Sequence, residues 1–328
     1  MKLSIIVPIY NVEKYIIECL SSIYNGKLKD FEVICVDDCG KDKSIELVKK
    51  YVKDNKIKNL KIITHDKNKG LSAARNTGIK EATGDYLLFL DSDDMLITNK
   101  LNKLINYAKK NNLDVLECEI EEIYETNMNI KVDHSNSRTE TEILSGEDYF
   151  SYISKNNEYI PMVWSRLYKT DYIKDNYSFK DGLKFEDEEF SPRVLINAKK
   201  VQYLNEKIYV YRRRDDSITT NMVKNNNWME HYFIIIDSLL DFSKTIQKKE
   251  TFLALKYRIE NLVLSLLKNP IAYNANSEIL KEAIEIIKEK NIYIIPLKSR
   301  CLSIKFQGFL MKYPKLFMKI YNLRMKRG

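Results

Sequence analysis

Tyr86-Leu87-Leu88-Phe89-Leu90-Asp91-Ser92-Asp93-Asp94-Met95-Leu96 is the stretch whose reading decides the fold. Five apolar or aromatic residues run straight into three carboxylates. A continuous apolar run of this length predicts a strand buried on both faces. The acids then fall at its C-terminal end, the edge where open α/β sheets place their ligands. Three acids packed this closely repel one another unless a cation sits among them. Mg²⁺ or Mn²⁺ meets that need, because one or two carboxylates hold such a hard ion and leave its other positions to phosphate oxygens. Ser92 is small enough to let a phosphate approach. The plain alternative is a polar turn capping the next helix, with Asp94 near its N-terminus.

Upstream, the same alternation of apolar run and polar turn repeats. Leu3 to Ile9 reads as a strand ending near Pro8. Asn11 is expected to cap a helix whose apolar stripe is Tyr15, Ile16, Cys19, Leu20 and Ile23. Phe31 to Val36 is a second buried strand, followed by Asp37-Asp38-Cys39-Gly40 and a helix from about Ser44 to Val52. Leu60 to Thr64 is a third. Asn68 to Gly78 is rich in small residues and predicts a helix that packs close to the sheet. The order implies a doubly wound, mostly parallel α/β sheet with right-handed crossovers. Its polar turns collect on one edge.

Composition narrows the function classes. The 328 residues suffice for an α/β domain and an appendage. No run of about 18 apolar residues predicts a membrane-spanning helix. Met1-Lys2-Leu3-Ser4 passes directly into a strand pattern without a secretory apolar region, and the five cysteines are odd in number with no CxxC pair. A cytoplasmic protein with reduced thiols is expected. Among the 54 Lys and Arg, nine fall between Leu297 and Gly328, where no acid occurs; the body keeps 45 basic against 46 acidic residues. A nucleic-acid-binding face is not expected from a neutral body. The chain lacks GxxxxGK[ST], GxGxxG and a Ser-His-Asp signature, which argues against P-loop, dinucleotide and serine-hydrolase chemistry. His65 reads as a structural histidine.

Ile6-Val7-Pro8-Ile9-Tyr10-Asn11, Val36-Asp37-Asp38, Asn68-x-Gly70-x-x-x-Ala74-Arg75-Asn76-x-Gly78 and Asp91-Ser92-Asp93-Asp94 together resemble the ordered motifs of family 2 glycosyltransferases. The resemblance covers about two thirds of the chain. It implies a GT-A fold and transfer of a sugar, with inversion, from a nucleotide diphosphate donor in bacterial surface polysaccharide synthesis. It implies that Pro8, Tyr10, Asn11 and Glu13 lie along the base and ribose, and that Asp38 accepts from the base. Arg75 would pair with Asp38 or the diphosphate. Asp91 and Ser92 would meet the ribose or sugar, and Asp93 would ligate the metal. Cys39-Gly40-Lys41-Asp42 departs from the frequent Gly-Ser-Thr-Asp.

Further along, Leu101 to Asn112 reads as a helix and Asp114 to Tyr124 as a long strand with one polar face, as at a sheet edge. Asn127 to Glu142 is expected to be a mobile excursion. Ser145 and Asp148 form a capping box. Val163 to Lys169 resembles the family's acceptor-side segment, with Trp164 stacking on a sugar ring or serving as core, and Arg166 in place of the usual Lys. Glu186-Asp187 resembles the family's Glu-Asp pair, with Asp187 as the general base that strips the acceptor hydroxyl; the alternative is a charged first helical turn. Tyr211-Arg212-Arg213-Arg214 resembles the closing loop, with Arg214 aimed at the diphosphate and Arg213 facing solvent.

From about Asn226 onward only helices are expected: Trp228 to Ile246, Thr251 to Leu267 and Ser277 to Lys290, broken at Pro270 and Pro296. Residues 1–225 are thus expected to form the catalytic domain (1–112 for the nucleotide sugar, 113–225 for acceptor and catalysis), and 226–328 a helical region. In its tail Leu302, Phe306, Phe309, Tyr313, Leu316, Ile320 and Leu323 alternate in steps of four and three, with lysines every seventh residue. This predicts an amphipathic helix on an anionic membrane surface, kinked or split at Pro314; a helix docked on its own body or a homodimer contact are the alternatives.

These readings give a metal-assisted (Mn²⁺ or Mg²⁺) inverting glycosyltransferase, peripheral on the inner membrane face. It would move a hexose or N-acetylhexosamine from UDP to a glycan or lipid-linked glycan. The rivals are a haloacid-dehalogenase-like phosphatase, which also places Asp-x-Asp after an apolar strand, and a non-catalytic scaffold.

Overall fold

Leu3–Ile9 (β1), Phe31–Asp37 (β2), Leu60–Thr64 (β3) and Tyr86–Phe89 (β4) form a parallel block in the order β3-β2-β1-β4. Every residue of β1 and β4 is buried, as runs covered on both faces require. The crossovers are Ile16–Tyr24 (α1), Ser44–Asp54 (α2) and Leu71–Glu81 (α3). The small residues of α3 have a steric reason: a Cβ at Gly78 would lie 2.2 Å from Ile6 Cγ2. The protein is described here by a computed structural model, which places residues 2–124, 127–133, 138–213, 228–272 and 277–325.

The sheet then continues with mixed strands. Its later elements are Met95–Leu96 (β5), Leu101–Asn111 (α4), Val115–Tyr124 (β6), Asn127–Asp133 (β7), Gly146–Lys155 (α5), Arg166–Lys169 (β8), Thr170–Asn176 (α6), Glu186–Asn197 (α7) and Val201–Arg213 (β9). The strand order is β3-β2-β1-β4-β8-β6-β9-β5, with β7 paired to β6. Here β8 is antiparallel to both β4 and β6, while β6 and β9 are parallel.

Several expectations change in three dimensions. β6 is no edge: it pairs with β7, β8 and β9, and along it Glu117, Glu119 and Glu122 are buried. Cations from distant segments make that burial possible, as Arg138 and Arg166 both reach Glu117. The expected excursion at 127–142 contains β7, and Thr141 is tied to Gln202 and to the Tyr203 amide. Asn11 caps no helix; with φ 53° it accepts instead from the Lys41 amide at 2.8 Å. Ser145 does cap α5, accepting from the Asp148 amide.

The chain divides into two units, Met1–Arg214 and Asp215–Gly328. Described elements of the second are Trp228–Ser243 (α8), Lys249–Ala272 (α9), Ser277–Glu289 (α10), Ile294–Leu297 (α11), Leu302–Met311 (α12) and Pro314–Met325 (α13). Pro270 does not break α9. It lies in the last turn, so its missing N–H removes one hydrogen bond only two residues before the helix ends. Pro296 likewise lies inside α11, and the break before it falls at Asn291, with φ 50°. Pro314 starts α13, the position a proline tolerates best. Among the described residues no helix is long and apolar enough to cross a membrane.

Candidate active site

Arg75 is the centre of the site. It belongs to α3, whose small neighbours let it lie almost fully buried, 1% exposed, behind the sheet edge. Its Nη2 donates to Asp91 Oδ1 at 2.9 Å, and its Nη1 donates to Asp187 Oδ1 at 2.9 Å and to Glu186. The rings of Phe179 and Phe89 lie 5.4 and 5.9 Å from its guanidinium carbon. One cation thus joins the turn after β4 to the first turn of α7, whose Glu186 lies 111 residues along the chain from Arg75. The expected pairing with Asp38 is replaced by this three-acid contact.

The acids differ in how they bear their burial. Burial pushes the Asp187 carboxyl above the usual range; Arg75 opposes this, and the charges of Glu186 and Asp91 add to it. Burial raises Glu186 in the same way, against the pull of Arg75. Burial would weaken the Arg75 proton, but Asp187, Asp91 and Glu186 outweigh it and hold the guanidinium charged. Asp187 also accepts from the Val163 amide at 3.3 Å, so one oxygen faces that amide and the other faces Arg75. Its side chain keeps 16% of its surface open, against 9% for Glu186.

In the Asp91–Asp94 turn, Asp94 is fully buried and accepts from Tyr209 Oη and the Arg212 amide, both at 2.7 Å. Burial raises its carboxyl well above the usual range, and Asp93 and Asp91 add to the rise. Arg212 Nε donates to the Asp93 carbonyl at 2.9 Å, and its Nη2 donates to Glu18. Arg75 therefore offsets part of the charge expected to need a metal, and burial disfavours the charged form of Asp94. Ser92 is buried, while Asp91 and Asp93 stay half-buried at the edge.

Around the β1 and β2 ends, most expected base contacts are occupied by the chain itself. Asp38 accepts from the Lys69 and Gly70 amides, each at 2.8 Å, and its Oδ1 meets His65 Nδ1 at 2.7 Å. Asp38, expected to accept from the base, thus also holds its own loop. His65 is structural, with Nε2 on Thr77. Glu13 accepts from the Lys43 amide and Asn11 from that of Lys41, pinning the β1 turn to the β2 turn. Pro8 is buried within β1. Tyr10, 47% exposed, offers an open ring at the mouth of these turns.

A family model described as glycosyl transferase family 2 matches residues 4–175. The chain belongs to this family. As a family 2 member it is 34% identical to the uncharacterized glycosyltransferase EpsJ of Bacillus subtilis, over 66% of this chain and 62% of EpsJ. It is 31% identical to the poly(ribitol-phosphate) beta-N-acetylglucosaminyltransferase TarS of Staphylococcus aureus, over 77% of this chain and 43% of TarS. The chain therefore spans less than two thirds of either relative. The crystal structure of TarS 1–349 in complex with UDP-GlcNAc superimposes with a TM-score of 0.74 at 22% identity, covering 99% of this chain and 92% of that one. The likeness shows the GT-A fold. The mannosyltransferase PcManGT of Pyrobaculum calidifontis, in complex with GDP-Man and Mn²⁺, matches more distantly, at a TM-score of 0.55 and 13% identity over 98% of this chain and 86% of its own. The phosphatase alternative falls with family 2 membership.

Two residues expected on the acceptor side of this family 2 site lie inside instead. Trp164 is 3% exposed and stacks on Tyr209 and Tyr211, with centroids at 4.6 and 5.5 Å. Arg166 is fully buried. Its Nε donates to Glu117 at 2.6 Å, and its two Nη donate to the Met162 and Ile160 carbonyls, so it fixes the segment that presents the Val163 amide to Asp187. Arg214 lies outside the described residues. Arg212 and Tyr209 escaped the sequence reading, although strand alternation places Arg212 opposite the solvent-facing Arg213; Arg213 is half-exposed and pairs with Glu122.

Among the described residues no group of three or more His, Cys, Asp or Glu forms a metal cage. The donor set still suits a hard divalent ion, which needs only one or two carboxylates when a substrate supplies phosphate oxygens. Asp93, half-buried, would be the carboxylate for that part; Asp91 is also engaged by Arg75, and Asp94 by Tyr209 and Arg212.

Proposed function

We propose that this family 2 chain moves a hexose or N-acetylhexosamine from a UDP donor to a hydroxyl of a glycan or lipid-linked glycan, with inversion. The observation that carries the reading is the convergence of Asp91 and the Glu186–Asp187 pair on Arg75. It ties the turn proposed for the donor and the proposed base to one side chain. The relative TarS, which is named for N-acetylglucosaminyl transfer and whose structure holds UDP-GlcNAc, supports UDP as the donor nucleotide.

In this reading residues 1–112 bind the donor and 113–225 bind the acceptor. Tyr10 stacks on the base or ribose, and Asp91 meets the donor ribose or sugar. Asp187 takes the proton of the acceptor hydroxyl as that oxygen attacks the anomeric carbon from the face opposite the leaving diphosphate. Its raised carboxyl suits it to hold the proton, and Arg75 and the Val163 amide keep it aimed. Glu186, on the same guanidinium, fixes the first turn of α7. A divalent ion on Asp93, Mn²⁺ or Mg²⁺, supplies charge that offsets the departing diphosphate. Arg214 is assigned to the same diphosphate.

The test is a panel of nucleotide sugars screened for metal-dependent release of free nucleotide, with a glycan acceptor present. Asp187→Asn is expected to lower release by about 10²- to 10⁴-fold while calorimetric UDP binding persists. Undiminished turnover in that variant removes Asp187 from the base role. Nucleotide binding without turnover on any donor favours the scaffold reading.

A further inference from the structure

We infer that the second unit carries a built face for an anionic lipid bilayer, made by α12 and α13 together rather than by one continuous interfacial helix. The inference is independent of the transfer reaction.

The inner side of α12 is fixed first. Ile304, Gly308 and Met311, spaced four and three apart, are buried, and a Cβ at Gly308 would come within 2.5 Å of the Leu297 amide nitrogen. That close approach to α11 prevents α12 from turning its other side inward. The opposite side presents Leu302, Phe306 and Phe309, again spaced four and three apart. Leu302 is 81% exposed and Phe306 52%. The chain then breaks at Pro314, yet the stripe does not stop. The rings of Phe309 on α12 and Tyr313 in the link meet at 5.6 Å, and Leu316 on α13 continues the exposed apolar surface. Ile304, Leu310, Met311 and Phe317 are buried, so only part of the apolar sequence in this region has gone into packing.

The charge around this stripe selects its occupant. Lys305, Lys315 and Lys319 on these two helices and Lys312 in the link between them are exposed, with Lys312 set over the Tyr293 ring. No acid occurs from Leu297 to Gly328. A second copy of the chain docked face to face would oppose cation to cation, which disfavours a homodimer here. Exposed aromatic and aliphatic side chains flanked by long cationic ones suit a bilayer: the rings enter the headgroup boundary while the ammonium groups reach lipid phosphates.

The test uses the full chain and sedimentation with two kinds of vesicle, phosphatidylcholine alone and phosphatidylcholine mixed with phosphatidylglycerol. Binding is expected to the mixed vesicles, weak or absent on the neutral ones, and weakened by salt. Lys305→Gln with Lys319→Gln is expected to weaken it roughly fivefold for each lysine replaced. Phe306→Ser with Phe309→Ser is expected to abolish it, the circular dichroism spectrum serving as the check on folding. Equal binding to both vesicles, or binding unchanged in the lysine pair, overturns the charge argument and the inference. So does a sedimentation-velocity dimer that the phenylalanine pair abolishes, because the stripe then covers a second copy. No arm of this experiment reads sugar transfer, so its failure leaves the proposed reaction standing.

Discussion

Arg75 works through three ion pairs made from inside the protein, and its removal leaves Asp91, Glu186 and Asp187 to repel one another with little water to screen them. Arg75→Met is expected to cost about 3–5 kcal/mol in urea unfolding at neutral pH. The sign of its pH dependence follows from the acids. Without the guanidinium the folded pKa values of Asp187 and Glu186, already raised by burial, rise further above their unfolded values. The folded state then binds more protons than the unfolded state between the two, so stability falls as pH rises through that interval. The variant's deficit should be smaller at about pH 5 than at about pH 8. A deficit that does not change with pH refutes the pairing as its cause. In the unaltered chain Asp187 must lose its proton to act as base. Turnover is therefore expected to climb with pH to a plateau reached above the ordinary carboxylate range, near pH 4, and the inflection belongs to the coupled Glu186–Asp187 pair. A rate profile of kcat/KM against pH reads it directly.

At the scale of elements, two strands that do not carry the reacting groups set where those groups stand. Arg166 on β8 is anchored by Glu117 on β6 and holds the Ile160 and Met162 carbonyls, while Ser191 of α7 donates to the Pro161 carbonyl. The segment between them delivers the Val163 amide to Asp187. Arg166→Met leaves Glu117 buried with only Arg138 beside it and frees that segment. It is expected to lower kcat by about 10- to 100-fold, with little change in donor KM, at a temperature where the variant is folded. An unchanged kcat shows that the segment keeps its position without the guanidinium. β9 plays the matching part at the Asp91–Asp94 turn: Tyr209 and the Arg212 amide hold Asp94, and the Arg212 side chain holds the Asp93 carbonyl.

For the molecule as a whole, the site exists because acids from two far-separated stretches share one cation. That sharing is measurable as coupling. In a cycle of Asp91→Asn, Glu186→Gln and the double variant, the stability changes should fail to add, by about 0.5–3 kcal/mol. Additive changes mean that the two acids do not sense each other through Arg75.

The strands β1 to β4 and the helices between them could be read from the sequence because each carries its own signal. Leu3–Ile9 and Tyr86–Phe89 are apolar on both faces, and Gly78 announces a helix pressed on a strand. Asp91 and Asp187 could be found because turns after apolar strands and first helical turns are local features. Which charge meets which is not local. With 54 basic and 46 acidic residues, nothing in the order of the chain picks Arg75 for Asp187 or Arg166 for Glu117. The same gap moved Trp164 into the interior, turned Asp38 toward its own loop, and divided the apolar residues of the tail between an inner and an outer side. Pattern along the chain sets what each segment can become, because backbone geometry and burial act over a few residues. Partners for buried charge are chosen by the sheet order, since only packing decides which segments lie within hydrogen-bonding reach of one another.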